Sequence, residues 1–444
     1  MWKIFFVIVA LAMLTACGRG RVAEEERIAV EPPAPAVRVP FCAELAAEYI
    51  VEIEALWAQD NGDLWGVNLH VPFIIADNVT RQAVANMPDV DGNYITYLPD
   101  IAFFGAGNNF GGRTWFVATW DYYAFNTENR AERLRRSAHA GFHGLQRSIF
   151  SGIGLRTDEA RSQAHRLSTF LEMYALLAAL ESDGETQLSA IRDALSIRAA
   201  RHYTLDTFAV HNTLSQEILE GTAQYTEYVL VLEMDEILAD IRQNLNSSIG
   251  KSYAWGAHGY YTGAMYALLL DKFEVDWKTN LSFSSDLGAL LKNALNITSL
   301  PHINDIDLTL YSYENIVAAE AIWFERYDRI VQNSTAIFAS AHPVLSIPFT
   351  VELPFAELDQ VFLGTRLVLY GSFTATGLFG ELTITEGYLL FQDNWICAAA
   401  LQIDGNRITG SYWELILNDG FEVMQEMNIF GQYLERFTVR RVED

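Results

Sequence analysis

The sequence predicts an α+β protein in which a small N-terminal sheet precedes a long helical region and an all-β domain ends the chain. Between residues 64 and 122, β-branched and aromatic runs alternate with Gly, Asn, Asp and Pro clusters, which is typical of short strands. From about 126 to 340, apolar residues recur at helical spacing. After Pro343, strand-like runs separated by turn residues return.

The composition describes a folded, acidic protein. The chain has 444 residues, of which 50% are apolar, and its formal net charge is −26. So many apolar residues can form a large core and are not typical of a disordered chain. The charge argues against nucleic acid and anionic lipid headgroups as main partners, because both require clustered Lys and Arg.

The N-terminus has the order of features found in an export signal. Lys3 is followed by an apolar run from Ile4 to Leu14, too short to cross a bilayer, which takes roughly 20 residues. We expect a signal peptide over residues 1–16. The ending LTAC resembles a bacterial lipobox, which implies cleavage before Cys17 and attachment of lipid to that cysteine. The expected location is therefore the bacterial cell envelope, outside the cytoplasm, with Cys17 as the membrane anchor. An ordinary signal peptide with an incidental cysteine is the alternative.

Residues 17–40 are charged and proline-rich, as expected for a flexible tether between the anchor and the folded body. The folded body then divides into a domain over 41–340 and a β-domain over 345–444. An exported protein can form disulfides, so Cys42 and Cys397 could pair or could be two free buried thiols.

The first domain begins with a helical pattern over 41–60. The strands of its sheet are predicted within 64–77, 93–104 and 113–123. The run GAGNNFGG at 105–112 has glycines without a following helix pattern, which indicates a loop.

A helix that starts near Asn126 is predicted next, followed by further long helices. The later helical stretches are 166–181, 187–203, 212–238 and 253–273. The last of these contains Gly256, Gly259 and Gly263, whose spacing suits close contact with another helix. For the β-domain we expect a β-sandwich or a barrel-like fold.

Two histidines indicate a metal site. His139 and His143 lie four residues apart, hence on one face of a helix, where both can bind one ion. Zinc needs a third protein ligand, and Glu220 is the best candidate, because it lies on a predicted polar helix face together with Glu217, Gln224 and Glu227. The pair of histidines alone is a weak signal. The remaining candidates, His165, His202 and His211, are predicted to be surface residues.

These residues carry a family resemblance. The pattern H-x-x-F-H-x-L-Q, followed far downstream by E-G-x-A-x-Y, resembles the gluzincin metallopeptidases. Its members here are His139, Phe142, His143, Leu145 and Gln146, then Glu220, Gly221, Ala223 and Tyr225. The resemblance covers about residues 113–275. It implies a zincin-like fold, zinc held by His139, His143 and Glu220, and supporting roles around the ligands for Glu217, Gln224 and Tyr225. It also implies that a strand such as 113–120 is the edge strand that lines the cleft.

The sequence departs from the family at the residue after the first histidine. The family has a glutamate there that acts as general base, whereas this chain has Ala140. Because general base catalysis typically contributes about 10²–10⁴-fold, we expect an inactive peptidase-like domain. Such a domain could still bind zinc and a peptide or protein partner.

Two alternatives remain open. The first is an active zinc peptidase that uses Glu217 as its base. The second is a surface interaction protein without metal that acts through its β-domain.

The aromatic stretch with Tyr253, His258, Tyr260 and Tyr261 could supply an oxyanion donor or could simply pack.

Overall fold

The computed structural model describes residues 39–442 except 79, 100, 153–162, 252–257, 340–343, 348–357, 364–365, 378, 392–394, 399 and 428–431. All described residues belong to one compact unit. The predicted signal peptide, Cys17 and nearly all of the tether lie outside them. The α+β class is confirmed, with a small mixed sheet, a central helical region and C-terminal β-sheets. Among the described helices, none is both long and apolar enough to span a membrane.

The first helix, α1 (Ala43–Asp60), packs its apolar face into the main core. Trp57 lies on this face and packs closely on Gly141, since a Cβ on that glycine would lie 2.8 Å from the Trp57 ring. Asn61 caps the C-terminal end of this helix in the left-handed conformation, with φ 48°. Cys42 precedes this helix as a half-buried free thiol, and the side chain of Cys397 lies outside the described structure.

The N-terminal sheet has four strands. They are β1 (Phe73–Ala76), β2 (Ala83–Ala85), β3 (Gly105–Phe110) and β4 (Arg113–Thr119), in the order β2-β1-β4-β3. β1 and β4 run parallel, and the other two pairs are antiparallel.

The prediction of a loop over 105–112 was wrong, because Gly105–Phe110 is the edge strand of this sheet. Gly111 and Gly112, with φ of 57° and 67°, form the two-residue turn that joins β3 to β4. Positive φ at both positions is the conformation of a type I′ hairpin turn, for which Gly-Gly is well suited. A register shift between Gly105 and Asn108 interrupts the alternation that usually identifies a strand.

The helical region follows the sheet. Its main helix α3 begins at Arg130 rather than near Asn126, because the Asn129 side chain accepts a hydrogen bond from the Glu132 amide and caps it. The helices are α2 (Trp120–Phe125), α3 (Arg130–Ile149), α4 (Gln163–Leu180), α5 (Gly184–Tyr203), α6 (Thr207–Gln216), α7 (Thr222–Val231), α8 (Met234–Ser248), α9 (His258–Lys272), α10 (Leu287–Ala294) and α11 (Tyr313–Ala339). Two 3₁₀ turns, Ile303–Asp305 and Leu308–Tyr311, precede α11.

A π-helical segment, Glu217–Gly221, joins α6 to α7. The glycines of α9 pack directly on it. A Cβ on Gly263 would lie 2.8 Å from the Cα of Gly221, and one on Gly259 would lie 2.9 Å from Gln216. Only glycine allows this approach, so α9 fixes the position of the π segment. Gly256 lies outside the described residues.

The C-terminal strands form one connected, mostly antiparallel network. They are β5 (Val344–Ser346), β6 (Asp359–Leu363), β7 (Arg366–Gly377), β8 (Gly380–Leu390), β9 (Trp395–Cys397), β10 (Gln402–Asp404), β11 (Arg407–Thr409), β12 (Trp413–Leu417), β13 (Phe421–Met427) and β14 (Tyr433–Arg441). The network packs on the long helix α11 through a shared apolar cluster that includes Ile330, Val368 and Tyr388. Arg326 of α11 also pairs with Asp359 at 2.6 Å.

Candidate metal centre

The two histidines of α3 lie side by side at the floor of a cleft. The Nε2 atoms of His139 and His143 are 3.1 Å apart, as expected for i, i+4 side chains on one helix face. His139 is buried and His143 is partly exposed. The helix therefore presents two imidazole nitrogens to one point.

Glu220 reaches the same point from the π segment. Its Oε2 lies 3.3 Å from Nε2 of His143 and 3.7 Å from Nε2 of His139, and the residue is fully buried. His139, His143 and Glu220 thus form a buried group that could hold a metal ion. π segments are rare and frequently lie at functional sites.

The separations among the three ligand atoms suit tetrahedral coordination. Ligands placed at about 2.0–2.2 Å from a tetrahedral zinc ion lie about 3.4 Å from one another. The observed separations are 3.1, 3.3 and 3.7 Å. Two imidazoles and one carboxylate, with a fourth position left open, form a donor set typical of zinc sites.

Gln146 fixes the tautomer of His143. Its Nε2 donates to the carbonyl oxygen of Leu219 at 2.6 Å and to Oγ1 of Thr222 at 3.0 Å, so its Oε1 must face the histidine. That oxygen lies 2.8 Å from Nδ1 of His143 and can only accept. Nδ1 therefore carries the proton, and Nε2 presents its lone pair to the site.

The carboxylate of Glu227 favours the corresponding tautomer of His139, with the proton on Nδ1. Its Oε2 lies 3.2 Å from Nδ1 of His139. Burial alone would raise the pKa of Glu227, but His139 and Arg135 outweigh burial and lower it. The carboxylate is therefore ionised at neutral pH, and His139 too presents the lone pair of Nε2. Two lone pairs and a carboxylate oxygen that converge repel one another unless a cation lies between them, so the residues present fit a bound metal.

Arg135 and Gln224 hold the carboxylate of Glu227 in place. Arg135 donates to Glu227 at 2.9 Å and pairs with Asp240 at 3.0 Å, while Gln224 donates to Glu227 at 2.7 Å. Gln224 thus contacts Glu227, the carboxylate beside His139, and not a candidate ligand itself. The chain of contacts ties His139 to helix α8, which carries Asp240.

Glu217 and Tyr225 make their strong contacts elsewhere. Both oxygens of Glu217 accept from Arg198 at 2.6 Å, within a buried ion network that also holds Glu172 and Asp286. The Tyr225 hydroxyl donates to Asp271. The ion pair between Glu217 and Arg198 therefore fixes the start of the π segment.

The cleft above the ligands has a volume of about 840 Å³. Besides the ligands, Ala140 lines it at the position where the resemblance places a general base. Glu220 is the only carboxylate among the described residues that line it. Its walls combine polar and apolar residues and include the phenylalanines Phe103, Phe104, Phe116 and Phe283.

Both strands of the β3–β4 hairpin contribute to the wall of this cleft. Phe116 belongs to β4, while Gly105 and Ala106 belong to β3. β4 is nevertheless an inner strand of the sheet, between β1 and β3. The edge that faces the cleft is therefore β3 rather than the strand over 113–120.

Tyr260 stacks on His139, with ring centroids 5.5 Å apart and an interplanar angle of 6°. It lines the cleft, which suits both packing and hydrogen bonding to a ligand. His258 is buried, and Tyr261 lines a smaller polar pocket behind His139. Tyr253 lies outside the described residues. His165, predicted to be a surface residue, is buried.

Glu227 is the important residue that the sequence interpretation left out of the site. It lies seven positions after Glu220, two helical turns further along the same face, which was the available signal. No family profile, no curated protein and no solved structure matches the chain.

Proposed function

We propose that the chain is a lipid-anchored protein of the bacterial cell envelope whose cleft binds zinc and a peptide segment without hydrolysing it. The observation that carries this proposal is the convergence of His139, His143 and Glu220 at tetrahedral spacing, directly beside Ala140.

Zinc suits this site better than harder cations. Imidazole nitrogens suit zinc and other transition metals, whereas magnesium and calcium prefer all-oxygen sites. When bound, zinc would act as a Lewis acid toward a peptide carbonyl. His139, His143 and Glu220 would hold it, and Glu227 and Gln146 would keep the two imidazoles in the tautomer that binds metal.

The chain's own residues argue against hydrolysis. The methyl group of Ala140 cannot take a proton from water. The described lining of the cleft offers no second carboxylate besides Glu220, and Glu217 is held by Arg198. Loss of a general base typically lowers the rate by about 10²–10⁴-fold.

The shape of the cleft favours an extended peptide. Its volume of about 840 Å³ and the phenylalanines in its walls suit apolar side chains. β3 is an edge strand beside the cleft, and such an edge can pair with an added strand through main-chain hydrogen bonds. The ligand is therefore a peptide or an extended segment of a protein.

Metal analysis tests the proposal. The full chain, purified in detergent without added zinc, should contain about one zinc ion, as expected for a single three-ligand site. The variant His143→Ala should lose it. His70→Ala is the matched control, because His70 is exposed and pairs with Glu54 outside the cleft. A wild type without metal, or a His143→Ala variant that keeps it, contradicts the proposal. The first outcome would favour a metal-free interaction protein.

The lipid anchor is tested separately. Labelled fatty acid should be incorporated into the wild type expressed in a bacterium and not into Cys17→Ser. Equal labelling of both chains would contradict the anchor without affecting the metal site.

A further inference from the structure

Arg136 lies between the large cleft and the smaller polar pocket beside it. It lies one helical turn before His139 on α3, and its side chain is exposed. It lines both the large cleft and the polar pocket of about 250 Å³ behind His139. Arg136 is therefore positioned to contact whatever occupies the cleft near the metal ligands.

Within the described ranges, the two neighbouring arginines of α3 form ion pairs, unlike Arg136. Arg133 pairs with Glu52 at 2.9 Å, and Arg135 pairs with Glu227 at the same distance. Arg136 has no acidic side chain within ion-pair distance among the described residues. Its guanidinium lies over the Tyr122 ring, 5.5 Å from the centroid. This contact holds the side chain in place without neutralising its charge.

The charge of the whole chain makes this arrangement informative. With a net charge of −26, the protein has an excess of acidic side chains with which an exposed arginine could pair. An arginine at the rim of the cleft that has no acidic partner in the described part of the chain offers its planar donors to a ligand. Carboxylates match those donors in a two-pronged hydrogen bond, which is stronger than a neutral one.

We propose that Arg136 binds a carboxylate of the peptide in the cleft. This inference rests on the proposed function and adds the chemical class that the cleft selects. One helical turn separates Arg136 from His139, or about 5 Å along the axis. An extended peptide advances about 3.3 Å per residue, so the carboxylate lies within one or two residues of the segment above the metal ligands. It is either the C-terminal carboxylate or an acidic side chain.

Four peptides distinguish these sources by isothermal titration of the zinc-loaded full chain. The first pair is N-acetyl-Ala-Phe-Leu with a free C-terminus and the same peptide as an amide. The second pair is N-acetyl-Ala-Phe-Glu-Leu amide and its Gln counterpart. We expect the acidic member of at least one pair to bind about tenfold more tightly than its neutral partner. The pair that shows the preference identifies the source.

The variant Arg136→Gln should abolish this preference while the zinc content and the melting temperature stay unchanged. Arg130→Gln is the matched control, since Arg130 is an exposed arginine of the same helix that does not line the cleft. Binding of all four peptides without preference, or a preference that survives in Arg136→Gln, overturns the inference alone. Failure of all four peptides to bind overturns the proposed function and the inference with it.

Discussion

Oε2 of Glu227 lies 3.2 Å from Nδ1 of His139, on the side of the imidazole opposite His143 and Glu220. This contact directs the lone pair of Nε2 into the site. It also links the site to α8, because Arg135 pairs with both Glu227 and Asp240. The position of one candidate ligand thus depends on a carboxylate 88 positions later in the chain.

We expect Glu227→Gln to lower zinc affinity by about 10–100-fold, the usual effect of losing such a supporting carboxylate. The amide is neutral, so it stabilises the required tautomer less. It also leaves the metal-facing nitrogen of His139 less basic than the carboxylate does. Competition with a chromophoric chelator measures the affinity. Glu132→Gln is the control, since Glu132 contacts Arg135 at 3.5 Å from the same helix. Equal affinities for wild type and Glu227→Gln would refute the supporting role.

Ala140→Glu should create peptide hydrolysis where the wild type has none. The new carboxylate would line the cleft beside the metal ligands, and general base catalysis is worth about 10²–10⁴-fold. A quenched fluorescent peptide measures the rate. Ala140→Gln has nearly the same size and no proton acceptor, so it should remain inactive. A wild type as active as Ala140→Glu would show that another group serves as base.

The histidine pair and its distant glutamate could be predicted because helical spacing and a family pattern both point to these residues. Helical spacing did not predict the position of Glu217. It shares a face with Glu220 if the segment is an α-helix, but the π segment is wound more widely and changes the phase between them. Nothing in the residue types EILEG signals that winding. Arg198, the partner of Glu217, lies 19 positions earlier and has no sequence pattern that links it to the site.

The edge strand was missed for a related reason. Strand patterns are recognised by alternating apolar residues, and GAGNNF has few apolar side chains and a register shift. The double glycine after it was the usable signal, since Gly-Gly between two runs favours a hairpin. The helix cap at Asn129 in place of Asn126 is an ordinary shift of a helix boundary by a few residues.

Gly263→Ala should weaken both the fold and the metal site. The added Cβ would lie 2.8 Å from the Cα of Gly221, so α9 and the π segment must separate. Overpacking of this kind typically costs about 1–3 kcal/mol, and the shift would displace Glu220. Thermal denaturation and zinc titration measure the two effects. Gly144→Ala is the control, because the nearest atom to its Cβ would be one of Val71, at an ordinary 3.6 Å. A Gly263→Ala variant with unchanged zinc affinity would show that the glycine contact does not position Glu220.

The stability of the protein should fall below pH 6.5 in part through His165. Burial, and next the charge of Arg201, lower the pKa of its imidazole from 6.5 to about 2. Below pH 6.5 the unfolded chain therefore binds a proton at His165 that the folded chain does not, which favours unfolding by about 1.4 kcal/mol per pH unit. His165→Gln removes this term, so the free energy of unfolding of the variant should decline less steeply than that of the wild type. Urea denaturation at pH 7, 6 and 5 measures both slopes, with exposed His70→Gln as the control. Parallel slopes for wild type and His165→Gln would mean that His165 accepts a proton in the folded protein as readily as in the unfolded chain.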